Sequence, residues 1–219
     1  MLVKLDWLNA LGDCFSKPYY HKLYDKVVSD MYNGRSIELT DDIHSAFNAV
    51  PFMEVKVVIV GSAPSTPKSE RSPILFNVSN GELSPSSKNF RQEIKDEYGE
   101  HVIIPDSLSY LTEQGVLLIN ASLTGNMNDR FAHMKLWEPF MKDAIRAIYQ
   151  RPVPCVFVFL GTMAQRLAEG LTSVDNKKVI CLPHPSPLSA YRGFIGSNVF
   201  KDINSFLVEC LSVPINWYK

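Results

Sequence analysis

Apolar positions in this chain change period along its length, and the changes mark out its elements. Tyr20, Leu23, Tyr24, Val27, Val28 and Met31 recur at helical spacing, so the first fifty residues are expected to be mostly helical with that stripe packed inward. The period then shortens. Val55-Lys56-Val57-Val58-Ile59-Val60 is β-branched and stopped by Gly61, which predicts a buried parallel strand. A loop to about Pro85 leads into a helix over 86–98, with Ser86 or Ser87 as its cap. Gly115 to Asn120 reads as a second strand and Val153 to Leu160 as a third, with Lys178 to Leu182 as a buried fourth. Between them, 136–149 is helical, with Trp137, Phe140, Met141, Ala144, Ile145 and Ile148 on or near one face. Thr162 can cap a helix over 163–171, and 198–211 closes the chain as a last helix. Strands alternating with helices predict a three-layer α/β fold, a central four-stranded parallel twisted sheet flanked by helices. In such folds the ligand site lies beyond the carboxyl ends of the strands. Loops starting at Gly61, Asn120 and His184 converge there.

A chain of 219 residues, 46% of them apolar, can bury one substantial core, so a single domain over 1–219 is expected. The net charge of −1 argues against a surface coated for bulk nucleic-acid condensation, but leaves room for a local phosphate site. Four dispersed cysteines fit reduced, intracellular thiols, with Cys155 and Cys181 as small buried residues in strands. Neither a membrane-spanning run nor a signal-peptide pattern is read, so the expected location is the cytoplasm, or the nucleus in a eukaryotic host.

The candidate chemistry gathers around His184-Pro185-Ser186-Pro187-Leu188-Ser189-Ala190-Tyr191-Arg192-Gly193-Phe194. Two prolines make this a rigid loop at a strand end, holding one imidazole and one apolar prong. His184 can donate to an oxygen that gains negative charge as a glycosidic bond breaks. The amide of Asn120 can satisfy an N–H and a carbonyl side by side, the edge a pyrimidine presents. Phe76 can stack on a base, and Leu188 can fill the gap left by an extruded nucleotide. Taken one at a time, Asn120 reads equally as a helix cap, Phe76 as a core ring and Leu188 as an ordinary exposed leucine.

In combination, the chain resembles family-1 uracil-DNA glycosylases from about Val55 to Trp217. The resemblance rests on Val57 to Gly61, on Pro85 to Asn89, and on Gln114 to Thr124. It continues through His133 with Trp137-Glu138-Pro139-Phe140, Phe159 to Gln165, the loop from His184 to Gly196, and the ending Pro214-Ile215-Asn216-Trp217. It implies that Asn120 reads the uracil edge, Phe76 stacks on the base, and His184 stabilises the uracil anion. Leu188 enters the minor groove, and Ser86, Ser186 and Ser189 contact phosphates, with Arg192 beside them on the DNA. Ser62 and Ser65 fall in the base-binding motif. The implied partner is uracil-containing DNA, single- or double-stranded, bound by a monomer without metal or cofactor, with a replication protein as a further possible partner.

One motif departs from the family. Where the family reads Gly-Gln-Asp-Pro-Tyr-His, this chain has Gly61-Ser62-Ala63-Pro64-Ser65-Thr66, with the spacing to Phe76 preserved. The aspartate orients the attacking water and stabilises the cationic sugar; Ala63 does neither, a deficit typically of ~10²–10⁴-fold in rate. A related glycosylase family has Gly-x-Ala-Pro here and also lacks the aspartate, so activity survives as an expectation. The tyrosine excludes the thymine methyl group; Ser65 leaves room for it unless Pro67, Arg71 or another side chain fills the space. Two functions follow: an attenuated glycosylase with widened base choice, or a non-catalytic module that shields uracil-DNA or serves a replication complex. His184 leans toward chemistry, and Ala63 leans away from it. A plain α/β scaffold without a nucleic-acid role is the third reading.

Overall fold

The computed structural model describes residues 4–35, 43–66, 71–77 and 82–219. Its strands β1 (Val57–Gly61), β2 (Val116–Asn120), β3 (Cys155–Leu160) and β4 (Lys177–Leu182) form one parallel sheet, ordered β2-β1-β3-β4. The helices are α1 (Leu5–Phe15), α2 (Pro18–Tyr32), α3 (Ser45–Asn48), α4 (Pro85–Tyr98), α5 (Ser109–Thr112), α6 (Met134–Tyr149), α7 (Thr162–Gln165) and α8 (Val199–Glu209). Single 3-10 turns lie at Phe52–Glu54, Arg166–Ala168 and Ala190–Arg192.

Alternation along the strands divides the core in two. Val58, Val60, Leu117, Ile119, Phe157 and Phe159 pack with α1, α2 and α6. Val57, Ile59, Val116, Leu118, Val156 and Val158 pack with α4 and α8 on the other face. Helices on both faces of a parallel sheet give the three layers anticipated from the alternating pattern.

Four local expectations need correcting. On α2 the buried positions are Tyr20, Leu23, Val27 and Asp30; Tyr24 and Met31 are exposed, because the inward stripe follows steps of three and four through an acidic residue. The cap of α4 is Ser84, whose Oγ accepts from Ser87 N at 3.1 Å, since Pro85 takes the first helical position where its missing N–H costs nothing. Thr162 opens α7 rather than capping it, and regular α-helix gives way to a 3-10 turn after Gln165. β4 is an edge strand, mostly half-buried, with Cys181 exposed and Cys155 on the interior strand fully buried.

Two carboxylates on α4 fasten the segment that follows the His184 loop. Glu93 accepts from Gly196 N (2.6 Å), Ser197 Oγ (3.1 Å) and Asn198 N (2.9 Å), and Glu97 accepts from Phe200 N (3.0 Å) and Lys201 N (2.6 Å). Burial, together with the charge of Glu93, raises Glu97 from 4.5 to about 7 against the opposing backbone bonds. A folded-state pKa above the unfolded value means stability present below about pH 4.5 and lost as pH rises through 7. Relative to Glu97→Gln, the wild type is therefore expected to lose about 2–3 kcal/mol between pH 4.5 and 8, measured by urea unfolding.

Candidate functional site

Three strand ends deliver the site. β1 ends at Gly61, in register with Asn120 at the end of β2. A Cβ on Gly61 would lie 2.5 Å from Leu75 Cδ1 and 3.1 Å from Asn120 Oδ1, so a side chain there would push the Leu75 side chain aside and crowd the amide. At the end of β3, Gly161 adopts φ +83°, and a Cβ there would lie 2.9 Å from the Cβ of His184. The neighbouring strand ends are thus built without side chains, one beside each polar group of the site.

The loop after β4 is knitted from within. His184 Nδ1 accepts from Ser186 N at 3.1 Å, which leaves the proton of the neutral ring on Nε2. Burial, and secondly the positive charge of Arg130, lower the imidazole from 6.5 to about 4. At neutral pH, His184 is therefore an uncharged Nε2–H donor. Ser189 Oγ donates to His184 O at 2.6 Å and lies 2.8 Å from Ser186 Oγ, while Asn89 Nδ2 donates to Pro185 O at 2.8 Å. Both serine hydroxyls are thus engaged within the loop. Leu188 projects from the same loop at 86% exposure, and Arg192 lies in the following 3-10 turn.

Phe76 is 7% exposed, stacked on Phe90 at 4.7 Å, with its centroid 6.2 Å from that of His184. Its φ of +61° is unusual for a bulky residue and of the kind that costs ~1–3 kcal/mol. Arg91 Nη1 (3.1 Å) and Ser87 Oγ hold its carbonyl and fix that conformation.

A cavity of about 250 Å³ opens between these groups, with Asn120, Phe76, His184, Ala63, Ser65 and Ser86 in its wall. It falls just below the ~300–1,000 Å³ of drug-sized ligand pockets, so it suits a single base. Ser186 also reaches it. Ser62 does not: it lies in an adjoining groove with Leu188, Ser189 and Arg192. Ser86, Ser186 and His184 border both spaces. Arg71 donates from Nε to Ser65 O (3.3 Å) and Thr66 O (3.2 Å) and is not among the cavity-lining residues; Pro67 lies outside the described residues.

Two residues of the site were not singled out from sequence. Arg130 borders both cavity and groove and donates from Nη2 to Ala63 O at 2.7 Å. Its loop is tied down by Asp30, which accepts from Lys26 Nζ (2.6 Å), Asn126 Nδ2 (2.9 Å) and His133 Nε2 (3.0 Å). His133 Nδ1 meets Thr124 Oγ1 at 2.8 Å, and Trp137 Nε1 donates to the same hydroxyl at 2.8 Å. Burial opposes ionisation of Asp30, yet the bonds from Lys26, Asn126 and His133 outweigh it and hold the carboxyl well below the usual carboxylate range. Asp30→Ala strands these donors and is expected to cost about 3 kcal/mol in urea unfolding, a loss Asp30→Asn should partly relieve. Among the described residues, no group of three or more His, Cys, Asp or Glu is arranged to hold a metal, and no helix is long and apolar enough to cross a membrane.

Residues 47–208 match the sequence model of the Uracil DNA glycosylase superfamily. The chain is 33% identical to a uracil-DNA glycosylase of Lachnoclostridium phytofermentans over 219 residues, covering 99% of this chain and 97% of that protein. It is 36% identical to one of Geobacillus thermodenitrificans over 224 residues, covering 99% and 95% respectively. The crystal structure of mimivirus uracil-DNA glycosylase superposes with a TM-score of 0.88 at 23% identity, covering 99% of this chain and 87% of that one, which establishes likeness of fold.

Proposed function

Because the chain belongs to the uracil-DNA glycosylase superfamily, we propose that it flips uracil out of DNA and hydrolyses its N-glycosidic bond, at an attenuated rate. The observation that carries this reading is the base-sized cavity in which Asn120, Phe76 and His184 meet. Flipping brings the base into that cavity while the backbone stays in the groove. Asn120 Nδ2 donates to the uracil O4 carbonyl and Oδ1 accepts from N3–H, and the base lies on Phe76. As the C1′–N1 bond breaks, its electron pair passes to the base, and the Nε2–H of His184 stabilises the oxyanion that forms. Water adds to C1′ and releases its proton to solvent. Leu188 occupies the vacated stack, and the first turn of α4 at Ser86 favours an adjacent phosphate.

Ala63 supports the attenuated rate, since no carboxylate at that position can orient water or offset a cationic sugar. Ser65 in the cavity wall supports tolerance of 5-substituted uracils, thymine included; rejecting one methyl group is worth only ~1–3 kcal/mol. The protein is read as a monomer acting on single- or double-stranded DNA in the cytoplasm, or in the nucleus of a eukaryotic host.

The test is single-turnover cleavage of an oligonucleotide containing one uracil, with enzyme in excess. Slow cleavage is expected, falling about 10²–10³-fold in His184→Ala. Because the ring is already neutral, the His184-dependent rate should show no break near 6.5. Undetectable cleavage with tight, uracil-selective binding would replace the hydrolase with a reader that shields uracil-DNA. Ala63 is the one feature that favours this second reading.

A further inference from the structure

Phe131 lines the groove that adjoins the base cavity, and 39% of it is exposed there. An aromatic ring gains most by burial, as Phe76 does in the cavity on the face of Phe90. Phe131 is nevertheless fixed in place. Its N donates to Asp129 Oδ1 at 2.9 Å, its carbonyl accepts from Met134 N at 2.9 Å where α6 begins, and its ring lies 5.0 Å from the centre of the Arg130 guanidinium. The loop before it closes through reciprocal backbone bonds between Asn126 and Asp129, at 3.1 and 3.0 Å, and Asn126 is tied to Asp30. The ring is therefore presented to the groove by an anchored loop. The groove measures about 700 Å³, shares its lining with Leu188, Ser189 and Arg192, and has no carboxylate among its described lining residues. A fixed aromatic ring in a groove of hydroxyls and cations suits unpaired bases, because every base has a π-face to stack.

Resting on the base-in-cavity reading above, we infer that Phe131 is a further base-binding residue, whose ring stacks on the unpaired nucleobase next to the flipped uracil. Two neighbouring bases then lie on two rings, Phe76 in the cavity and Phe131 in the groove, with His184 bordering both spaces. The contact uses a π-face and no hydrogen-bonding edge, so it accepts any of the four bases. In a duplex, pairing holds the neighbouring base in the helix and Leu188 covers the face that flipping exposes, so the ring has no base to receive.

The stacking can be read from binding, without turnover, by removing each partner in turn. Single-stranded oligonucleotides carry one uncleavable 2′-fluorinated deoxyuridine, and the nucleoside on its 5′ or 3′ side is either natural or a tetrahydrofuran without a base. They are titrated against the wild type, Phe131→Ala and Phe131→Tyr. The wild type is expected to lose about tenfold in affinity when one of the two neighbouring bases is removed. Phe131→Ala should bind the intact strand about tenfold more weakly and no longer sense that base, the non-additivity of a direct contact, and Phe131→Tyr should behave as the wild type. With the neighbour paired in a duplex, Phe131→Ala should bind within about twofold of the wild type. A wild type indifferent to both neighbours overturns the inference, as does undiminished sensitivity in Phe131→Ala or an equal loss on duplex DNA. The cytosine analogue in place of the uridine tests the underlying reading separately. Retained preference for uracil without neighbour dependence refutes the role of Phe131 alone, whereas equal affinity for uracil and cytosine strands refutes the base-in-cavity reading and this inference with it.

Discussion

Ala63→Asp alone is expected to leave single-turnover uracil excision within about threefold of the wild type, whereas Ala63→Asp combined with Arg130→Ala should exceed the wild type by about 10²–10⁴-fold. The asymmetry comes from the 2.7 Å bond between Arg130 Nη2 and the carbonyl of residue 63. A carboxylate introduced on that residue sits within reach of the guanidinium and pairs with it by a charge-assisted hydrogen bond. Paired in this way, it neither offsets a cationic sugar nor accepts a proton from water. Removing the guanidinium frees it for both tasks. Arg130→Ala alone should give no such gain, since it adds no carboxylate. Non-additivity is the signature of two residues sharing one interaction. Full recovery in Ala63→Asp, with no further gain on adding Arg130→Ala, would place the guanidinium's influence away from the reacting carbon.

The contrast between what the sequence disclosed and what it hid follows from where each signal resides. The strands were legible because β-branched runs such as Val57-Val58-Ile59-Val60 are both short and apolar, and their ends at Gly61 and Asn120 fall in register in the sheet. The inner face of α6 was legible too, as all six positions from Trp137 to Ile148 assigned to it are buried. The α4 cap was misplaced because three candidate serines, Ser84, Ser86 and Ser87, surround Pro85, and only the proline's preference for the first helical position separates them. Burial of Cys181 was misjudged because a sequence does not say which strand lies at an edge.

At the site, the residues brought to the cavity were those with distinctive chemistry in rigid settings: Asn120 at a strand end and His184 between prolines. Phe76 was found, but its left-handed backbone was not, since nothing local requires φ +61° there; the distant Arg91 enforces it. Arg130 was missed because a lone arginine in a polar loop carries no periodic signal. Asp30 did leave one, as an acid on the apolar stripe of Leu23 and Val27, and a charge at such a position calls for a buried partner. Following it to His133 and Asn126 leads to the loop that holds Arg130.

Asn120→Leu is expected to lower single-turnover uracil excision by about 10²–10⁴-fold while leaving the unfolding free energy within about 1 kcal/mol. Asn120 is buried at the end of β2, in the wall of the base cavity, so a base seated there is cut off from water. Leucine has similar volume and keeps the wall in place, but offers neither donor nor acceptor. The N3–H and O4 groups of uracil would then be desolvated without partners, at about 1–3 kcal/mol each. The two penalties sum to about 2–6 kcal/mol, which brackets the expected fold-loss. Thymine presents the same two groups, so the variant should lose any thymine excision by the same factor, leaving the uracil-to-thymine ratio to Ser65. Cytosine presents a donor and an acceptor in exchanged positions, and the wild-type amide rejects it only if it is held in one orientation. A variant that loses uracil excision and brings the uracil-to-cytosine ratio close to one would assign edge recognition to Asn120. Unchanged discrimination would move that recognition to the backbone around Phe76 and Asn77, which line the same cavity.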